Sequence, residues 1–295
     1  MNIVTKNHIK LHITVILLGF TAILGKLISL NAIDMIWYRM FIAAIFLLFY
    51  IMVKKLPLRY SVKTILQMTG VGFIIALHWI TFFHSIKISN VSVTLGSFAS
   101  FAFFTSILEP VVLKQRFKWI ELVLGFVVMI GLYVIFRFEF RYKLGIIFSL
   151  VSAVLAAFFT VFNKKFIEKY NPISISFYEM GSGFIWITLY LVISGELRGG
   201  MPLPAMMDWV WLLILGIVCT SYAFVVSVEV MKVVSAYYVS LAINMEPVYG
   251  IILASLIFRK SEFMSTQFYI GTAIIMLTVF IFSYINYKSA PKVSD

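Results

Sequence analysis

Seven ionisable side chains stand out because they lie inside long apolar runs of the sequence. They are Lys26, Arg39, His78, Glu109, Glu179, Glu229 and Glu246. An ionisable group inside a membrane is costly, so it normally pairs with another group, reaches the interface or faces a cavity. Such groups can bind a charged solute or carry a proton, and each is therefore a candidate for one of these roles.

Glu246 lies near the middle of its apolar run, where the helix is expected to break. Pro247 follows it and removes a backbone donor, and Asn244 adds an amide nearby. A carboxylate beside freed carbonyls at the middle of the membrane indicates a site for a substrate or a coupling ion. The alternative is a proline kink made for packing, with Glu246 neutral and hydrogen-bonded. The sequence favours neither interpretation.

Lys26 and His78 are candidates on two earlier runs. Lys26 could neutralise a solute carboxylate, or it could pair with a buried acid such as Glu246. His78 could change charge in the physiological pH range, next to Trp79 and with Ser97 of the following run as a neighbour. Alternatively, His78 is a hydrogen-bonded contact between helices.

Arg39 and Glu179 align approximately when the two halves of the chain are compared, yet they carry opposite charges. Arg39 lies close to the end of its run and could extend to the interface, so we expect it to act as an anchor. Glu179 could pair with Lys165 or bind a proton.

For Glu109 and Glu229 we expect local ion pairs. Glu109 has Lys114 and Arg116 close behind it in the sequence. Glu229 precedes Lys232 at a spacing that suits an ion pair on a helix.

The elements that carry these residues are predicted to be membrane helices. The chain has 295 residues, of which 62% are hydrophobic and 12% charged. A soluble domain could not bury so much apolar surface. We predict an all-α polytopic membrane protein with ten spans, at about 11–30, 35–53, 64–84, 91–113, 119–137, 144–163, 172–194, 209–230, 235–258 and 267–287.

The two halves of the sequence resemble each other. A shift of 146 residues pairs Ser89–Ile135 with Ser235–Ile281 without a gap. Residues 1–138 and 139–295 are therefore predicted to be two repeats of five helices each, and an odd number of crossings inverts the second repeat. In this register Glu109-Pro110 is not opposite Glu246-Pro247, so the two Glu-Pro pairs do not form a symmetric site.

Charge and cysteine content restrict the environment and the partners. The net charge of +12 comes from cations in short loops, and most of the 24 lysines and arginines face the cytoplasm if the N-terminus does. We expect both termini in the cytoplasm, lipid and a small molecule as partners, and no nucleic acid. The single Cys219 excludes an intramolecular disulfide. The first apolar run lacks a cleavage site and is predicted to be a retained helix.

The chain resembles the EamA family of the drug/metabolite transporter superfamily. The resemblance rests on Gly25-Lys26, Asn244-Met-Glu-Pro247, the acidic turn Arg259-Lys-Ser-Glu262, and Tyr269-Ile-Gly271 at the start of the last helix. It implies a secondary transporter that exports small metabolites, such as amino acids, across a bacterial cytoplasmic membrane. Leu77-His78-Trp79 is also similar to the aromatic amino acid exporter branch, in which histidine and aromatic side chains line the cavity.

These observations together predict a transporter that works by alternating access. The candidate substrate-binding residues are Lys26, His78, Trp79, Ser97, Tyr222, Asn244 and Glu246. A membrane-embedded enzyme with His78 and Glu246 as acid and base, or a passive channel, are the alternatives. No metal-ligand motif and no Walker A motif occurs in the sequence, so we expect no metal, no cofactor and no direct use of ATP.

Overall fold

The computed structural model describes residues 3–116, 119–243 and 245–289, and these residues are helical without a β-strand. The helices are α1 (Ile3–Leu27), α2 (Ala32–Lys54), α3 (Val62–Ile88), α4 (Val91–Phe98), α5 (Phe101–Leu113), α6 (Trp119–Phe138), α7 (Lys143–Ile167), α8 (Pro172–Ser194), α9 (Met206–Leu213), α10 (Ala223–Val230), α11 (Ala236–Ile243), α12 (Glu246–Phe258) and α13 (Thr266–Ser289). A π-helical segment, Ile214–Tyr222, joins α9 to α10.

Seven helical stretches in the described part of the chain are long and apolar enough to cross a bilayer. They are Ile9–Leu27, Ala32–Lys54, Val62–Ile88, Val91–Leu113, Phe140–Ile167, Pro172–Ser194 and Met206–Val230. The other predicted spans fall on α6, on α11 with α12, and on α13. The prediction of an all-helical membrane protein is confirmed.

Polar side chains fix where several helices begin. The residue before the helix accepts a hydrogen bond from a backbone N–H of the first turn at Asn31 for α2, Ser61 for α3, Asn90 for α4 and Asn171 for α8. These side chains satisfy donors that a helix start otherwise leaves unpaired. Short connections between apolar runs therefore stop one helix and start the next.

Two of the predicted spans are broken near their middle. The span 235–258 forms α11 and α12, and Glu246 and Pro247 open α12. The break predicted from Pro247 is confirmed. The span 91–113, predicted as one helix, is instead α4 and α5, with the break at Ala99 and Ser100.

The helices pack around one main core and a smaller second one. In the main core α3 packs against α7 and α8, α2 against α8, and α1 against α12. The helices α6 and α13 lie side by side over the second core. There Gly131 and Gly271 bring the two backbones together: a Cβ atom added to either glycine would lie 2.8 Å from the carbonyl oxygen of the other.

Candidate functional site

The main core contains a cavity of about 80 Å³ that is lined from several helices. Its polar lining comes from Thr21, Arg39, His78, Thr160, Asn163, Ser227 and Glu246. Half of its apolar lining residues are aromatic, namely Trp79, Phe82, Phe83, Phe98, Phe101, Phe159 and Phe224. An apolar pocket with a few convergent polar groups is the usual form of a site for a small molecule.

Arg39 is the cation of this cavity. Its side chain is 1% exposed, so it does not extend to the interface, and the anchor role that we predicted is wrong. Arg39 lies two turns into α2 and faces the bundle. Its guanidinium carbon lies 3.8 Å from the centre of the Trp79 ring, and its Nε donates to Thr220 Oγ1 at 2.6 Å. Its Nη1 is buried without a hydrogen-bond partner. The Nε donor of the guanidinium is thus bound, and the Nη1 donor is left without an acceptor.

The π-helical segment provides the acceptor for Arg39. Thr220 Oγ1 donates to the carbonyl of Leu215 at 2.6 Å, and Ser221 Oγ donates to the carbonyl of Gly216 at 2.9 Å. Both bonds join residues five apart, as the wider π turn allows. The sequence does not predict this segment, because its residues have the pattern of an ordinary apolar helix.

Glu246 supplies the carboxyl group of the cavity. It is 5% exposed and is the first residue of α12, where the partial positive charge of the helix start favours a carboxylate. Among the described residues, no cation lies within 4.0 Å of its carboxylate and no donor binds it. Lys26 does pair with a buried acid, which was one of the two alternatives, but that acid is Glu262 rather than Glu246.

His78 lies in the same cavity, on α3. Its Nδ1 lies 2.8 Å from Ser152 Oγ and 2.9 Å from the Ser152 carbonyl oxygen. The imidazole also packs against Phe98 and Phe159, with ring centres 5.7 and 5.2 Å away. The helix contact and the cavity position that we considered as alternatives are both present.

Three further candidates do not line the cavity. The ammonium of Lys26 binds Glu262 at 2.6 Å. Ser97 is fully buried, but His78 binds Ser152 in its place. Tyr222 is 49% exposed, since it lies on the outward side of the π-helical segment. Asn244 lies outside the described residues.

Glu262 forms a polar cluster with Lys26 and the start of α4, which we call the Glu262 cluster. Its carboxylate is 0% exposed and accepts from Lys26 Nζ at 2.6 Å, Ser92 N at 2.8 Å, Ser92 Oγ at 2.9 Å and Val91 N at 3.3 Å. Two of these donors are the otherwise unpaired N–H groups of a helix start. The cluster joins residues about 170 and 236 positions apart.

Glu109 binds the start of α11 in a similar way, in what we call the Glu109 cluster. Its carboxylate accepts from Ala236 N at 3.2 Å, and its side chain is buried. Its described partner is therefore a helix start rather than the Lys114 or Arg116 that we predicted. Close by, Lys164 Nζ donates to the carbonyls of Met231 and Val234 at 2.6 and 3.1 Å.

Glu229 also has a partner other than the predicted one. Its carboxylate lies 3.5 Å from Lys10 Nζ rather than near Lys232. Both side chains of this pair are more than 30% exposed, so it contributes little to stability.

The described residues offer no basis for a metal centre. Nowhere in them do three or more His, Cys, Asp or Glu side chains come together in a way that could hold a metal ion.

Comparison with known proteins assigns the chain to a family. The profile of the EamA-like transporter family matches residues 7–137 and 143–284. A Clostridium kluyveri protein described as an uncharacterized transporter is 28% identical over 83% of this chain and 78% of its own length. An Archaeoglobus fulgidus protein with the same description is 29% identical over 52% of this chain and 53% of its own.

A protein of known crystal structure has the same fold. It is 14% identical to this chain and superposes with a TM-score of 0.70 over 95% of this chain and 98% of that one. The family match, together with the apolar helices, carries the assignment: this chain is a multi-pass membrane protein that belongs to the EamA-like transporter family.

Proposed function

We propose that this protein is a secondary transporter that exports small metabolites, amino acids among them, across the cytoplasmic membrane by alternating access. The observation that carries the proposal is that a guanidinium and a carboxyl group, which have opposite charges when ionised, line one buried cavity. Arg39 and Glu246 both line it, and they form no ion pair with each other. A buried charge without a counter-ion is costly, so a site that keeps both groups is suited to a ligand that supplies an opposite charge to each.

The substrate that fits these groups is a zwitterion with an apolar side chain. A substrate carboxylate would bind the free Nη1 of Arg39, and an ammonium would bind Glu246. The rings of Phe98, Phe159 and Phe224 would cover an apolar or aromatic side chain.

The size of the cavity supports a closed state in the transport cycle. At about 80 Å³ it is smaller than the roughly 300 Å³ or more of a typical ligand pocket. Binding a metabolite therefore requires the helices to move apart, as they do when one half of a transporter rocks against the other.

Two clusters fit the role of gates at opposite membrane faces. Glu262, in the second half, binds the start of α4, and Glu109, in the first half, binds the start of α11.

At a shift of 146 residues, α4 and α11 begin within one residue of each other, and their breaks also correspond to within one residue. This supports repeats at 1–138 and 139–295 and ten crossings, with the second repeat inverted. Glu109 and Glu262 are not in register, so equivalent helix starts are bound from different positions.

The loop charges support an orientation with both termini in the cytoplasm. The Glu109 cluster then closes the cytoplasmic face and the Glu262 cluster the external face. A bacterial inner membrane is the location that this arrangement fits.

Transport by purified protein in liposomes tests the proposal. A panel of amino acids and other metabolites is loaded at two pH values, and flux is measured against concentration. We expect saturable movement of an unchanged zwitterion. A chemically altered product would indicate the enzyme alternative, and flux without saturation would indicate the channel.

Variants of the cavity test the site. Glu246→Gln and His78→Ala should each lower the saturable flux, whereas Glu229→Gln, at a half-exposed position, should not. Unchanged rate and pH dependence in both cavity variants would contradict the site assignment.

A further inference from the structure

Glu179 on α8 is a buried carboxylate that does not line the substrate cavity. Its side chain is 0% exposed and lies seven residues into the span Pro172–Ser194, about 10 Å along the helix. Its Oε2 accepts a hydrogen bond from Asn163 Nδ2 at 3.3 Å. Glu179 Oε1 and Asn163 Oδ1 are both buried without a hydrogen-bond partner. Asn163 also lines the cavity, so one amide connects Glu179 to the substrate site.

No cation balances Glu179 among the residues described. The helices that pack against α8 are α2, α3, α7 and α10. Four charged or titratable groups on these helices have other partners. Arg39 binds Thr220, His78 binds Ser152, Lys164 binds the carbonyls of Met231 and Val234, and Glu229 pairs with Lys10. Of the two alternatives for Glu179, the pair with Lys165 is not formed among the described residues.

These contacts favour a proton as the ligand of Glu179. An ionised carboxylate with no counter-charge is very costly in a membrane interior, whereas the protonated acid is not. The protonated acid also supplies an O–H donor. Of the two unpaired oxygens, Glu179 Oε1 could carry this proton and Asn163 Oδ1 could accept the hydrogen bond. A metal ion would need more oxygens than these two, since even flexible oxygen sites use six or more ligands.

We propose that Glu179 is a proton-binding site that couples export to the proton gradient, and that Asn163 is the positioning residue that links its protonation to the substrate cavity. The proposal rests on the transport function proposed above. The carboxylate accepts from Asn163 Nδ2 and repels Oδ1, whereas the protonated acid donates to Oδ1, so the two states orient the amide differently at the cavity. Substrate affinity then depends on the proton on Glu179, and proton affinity depends equally on the substrate.

An infrared titration tests proton binding without any substrate. The carbonyl stretch of a protonated carboxylic acid is recorded for wild type, Glu179→Gln and Glu229→Gln in liposomes between about pH 5 and 9. We expect one acid band that persists to a pH far above that of an ordinary glutamate, is present in wild type and Glu229→Gln, and is missing from Glu179→Gln. Asn163→Leu, which removes the hydrogen bond, should shift the frequency of that band. The same acid bands in wild type and Glu179→Gln would overturn the proposal.

Transport of L-phenylalanine, a zwitterion with an apolar ring, tests the coupling. A gradient of one pH unit drives protons across the membrane in the direction opposite to the substrate. If one proton is exchanged for one substrate molecule, the substrate accumulates up to about tenfold. We expect this accumulation in wild type and Glu229→Gln. Glu179→Gln should lose it but keep the exchange of labelled for unlabelled L-phenylalanine, which also shows that the variant is folded. Accumulation by Glu179→Gln at the wild-type level would overturn the coupling.

Failure of the proposed function is distinguishable from failure of this inference. Absent exchange in the wild type would reject L-phenylalanine as a substrate, and the infrared result would still decide whether Glu179 binds a proton.

Discussion

Replacement of Glu262 by glutamine should open one face of the protein to water. The Glu262 cluster joins the turn after α12 to the start of α4 and to Lys26 on α1. Glutamine has the same size but no charge, and one of its oxygens is replaced by a donor. The ion pair with Lys26 is therefore lost, and one of the backbone N–H groups at the start of α4 loses its acceptor.

The expected change in the free-energy difference between the closed and open states follows from these contacts. The carboxylate accepts four hydrogen bonds, at 2.6, 2.8, 2.9 and 3.3 Å. A hydrogen bond to a charged group contributes about 1.5–3 kcal/mol. Glutamine keeps one acceptor, and Lys26, whose side chain is 26% exposed, can be rehydrated. We therefore expect the closed state to lose about 2 kcal/mol relative to the open one, a change of about 30-fold in the open population.

The native cysteine provides the assay. Cys219 is the single cysteine of the chain, is 1% exposed and lines the cavity. A membrane-impermeant thiol reagent is added to one side of sealed vesicles, and the rate of Cys219 labelling is measured. From the face that carries the Glu262 cluster, labelling of Glu262→Gln should be about 30-fold faster than that of wild type. From the other face it should be unchanged or slower.

Two controls make the result specific. Cys219→Ser should not be labelled, and Glu229→Gln, which removes the same charge from a half-exposed pair with Lys10, should label at the wild-type rate. A rate for Glu262→Gln within twofold of wild type would refute the gate. An equal increase from both faces would also refute it, because it would indicate general loosening of the bundle.

Other predictions follow from single contacts. Arg39→Lys keeps the charge but loses the planar group that stacks on a ring and binds a hydroxyl, so the apparent affinity for L-phenylalanine should fall about 10-fold in concentration-dependent uptake. Thr220→Val leaves the buried Nε of Arg39 without its acceptor and should lower the free energy of unfolding by about 1–3 kcal/mol. Thr278→Val, which loses only a bond to its own helix, should have a smaller effect in the same thermal-denaturation assay. Gly271→Ala should cost about 1–3 kcal/mol, because the new methyl group would lie 2.8 Å from a carbonyl of α6. Gly70→Ala, with nothing within 4 Å, should be neutral or stabilising, and equal melting temperatures for the two glycine variants would contradict the close packing of α6 and α13.

The helices could be predicted because lipid imposes a simple requirement on sequence. Every backbone group must be paired within the membrane, so apolar runs of sufficient length become helices. The break at Pro247 could also be predicted, since proline lacks the N–H group. The break at Ala99 and Ser100 could not, because neither residue is a strong breaker and tertiary packing sets the position.

The cavity was less predictable because a membrane helix can be apolar on every side. The α2 span has a mean hydropathy of 2.1, so periodicity does not show which side faces the bundle. Arg39 could therefore be read as an interfacial anchor, and Ser97 could be placed next to His78. His78 and Glu246 could be predicted because an ionisable or broken position is conspicuous in an apolar run whatever its orientation, and Trp79 because it follows His78. The partner of Lys26 lies 236 positions away, and the sequence gives no indication of it.

The opposite charges of Arg39 and Glu246 have an electrical consequence. With both groups ionised and His78 neutral, the empty cavity carries no net charge, and a bound zwitterion adds none. A net elementary charge that crosses the membrane field costs or gains about 2.3 kcal/mol per 100 mV. The cavity has no net charge whether it is loaded or empty. The membrane voltage therefore does no work on it when the protein changes the side to which it opens. Membrane voltage would then act on the cycle through ionised Glu179 alone.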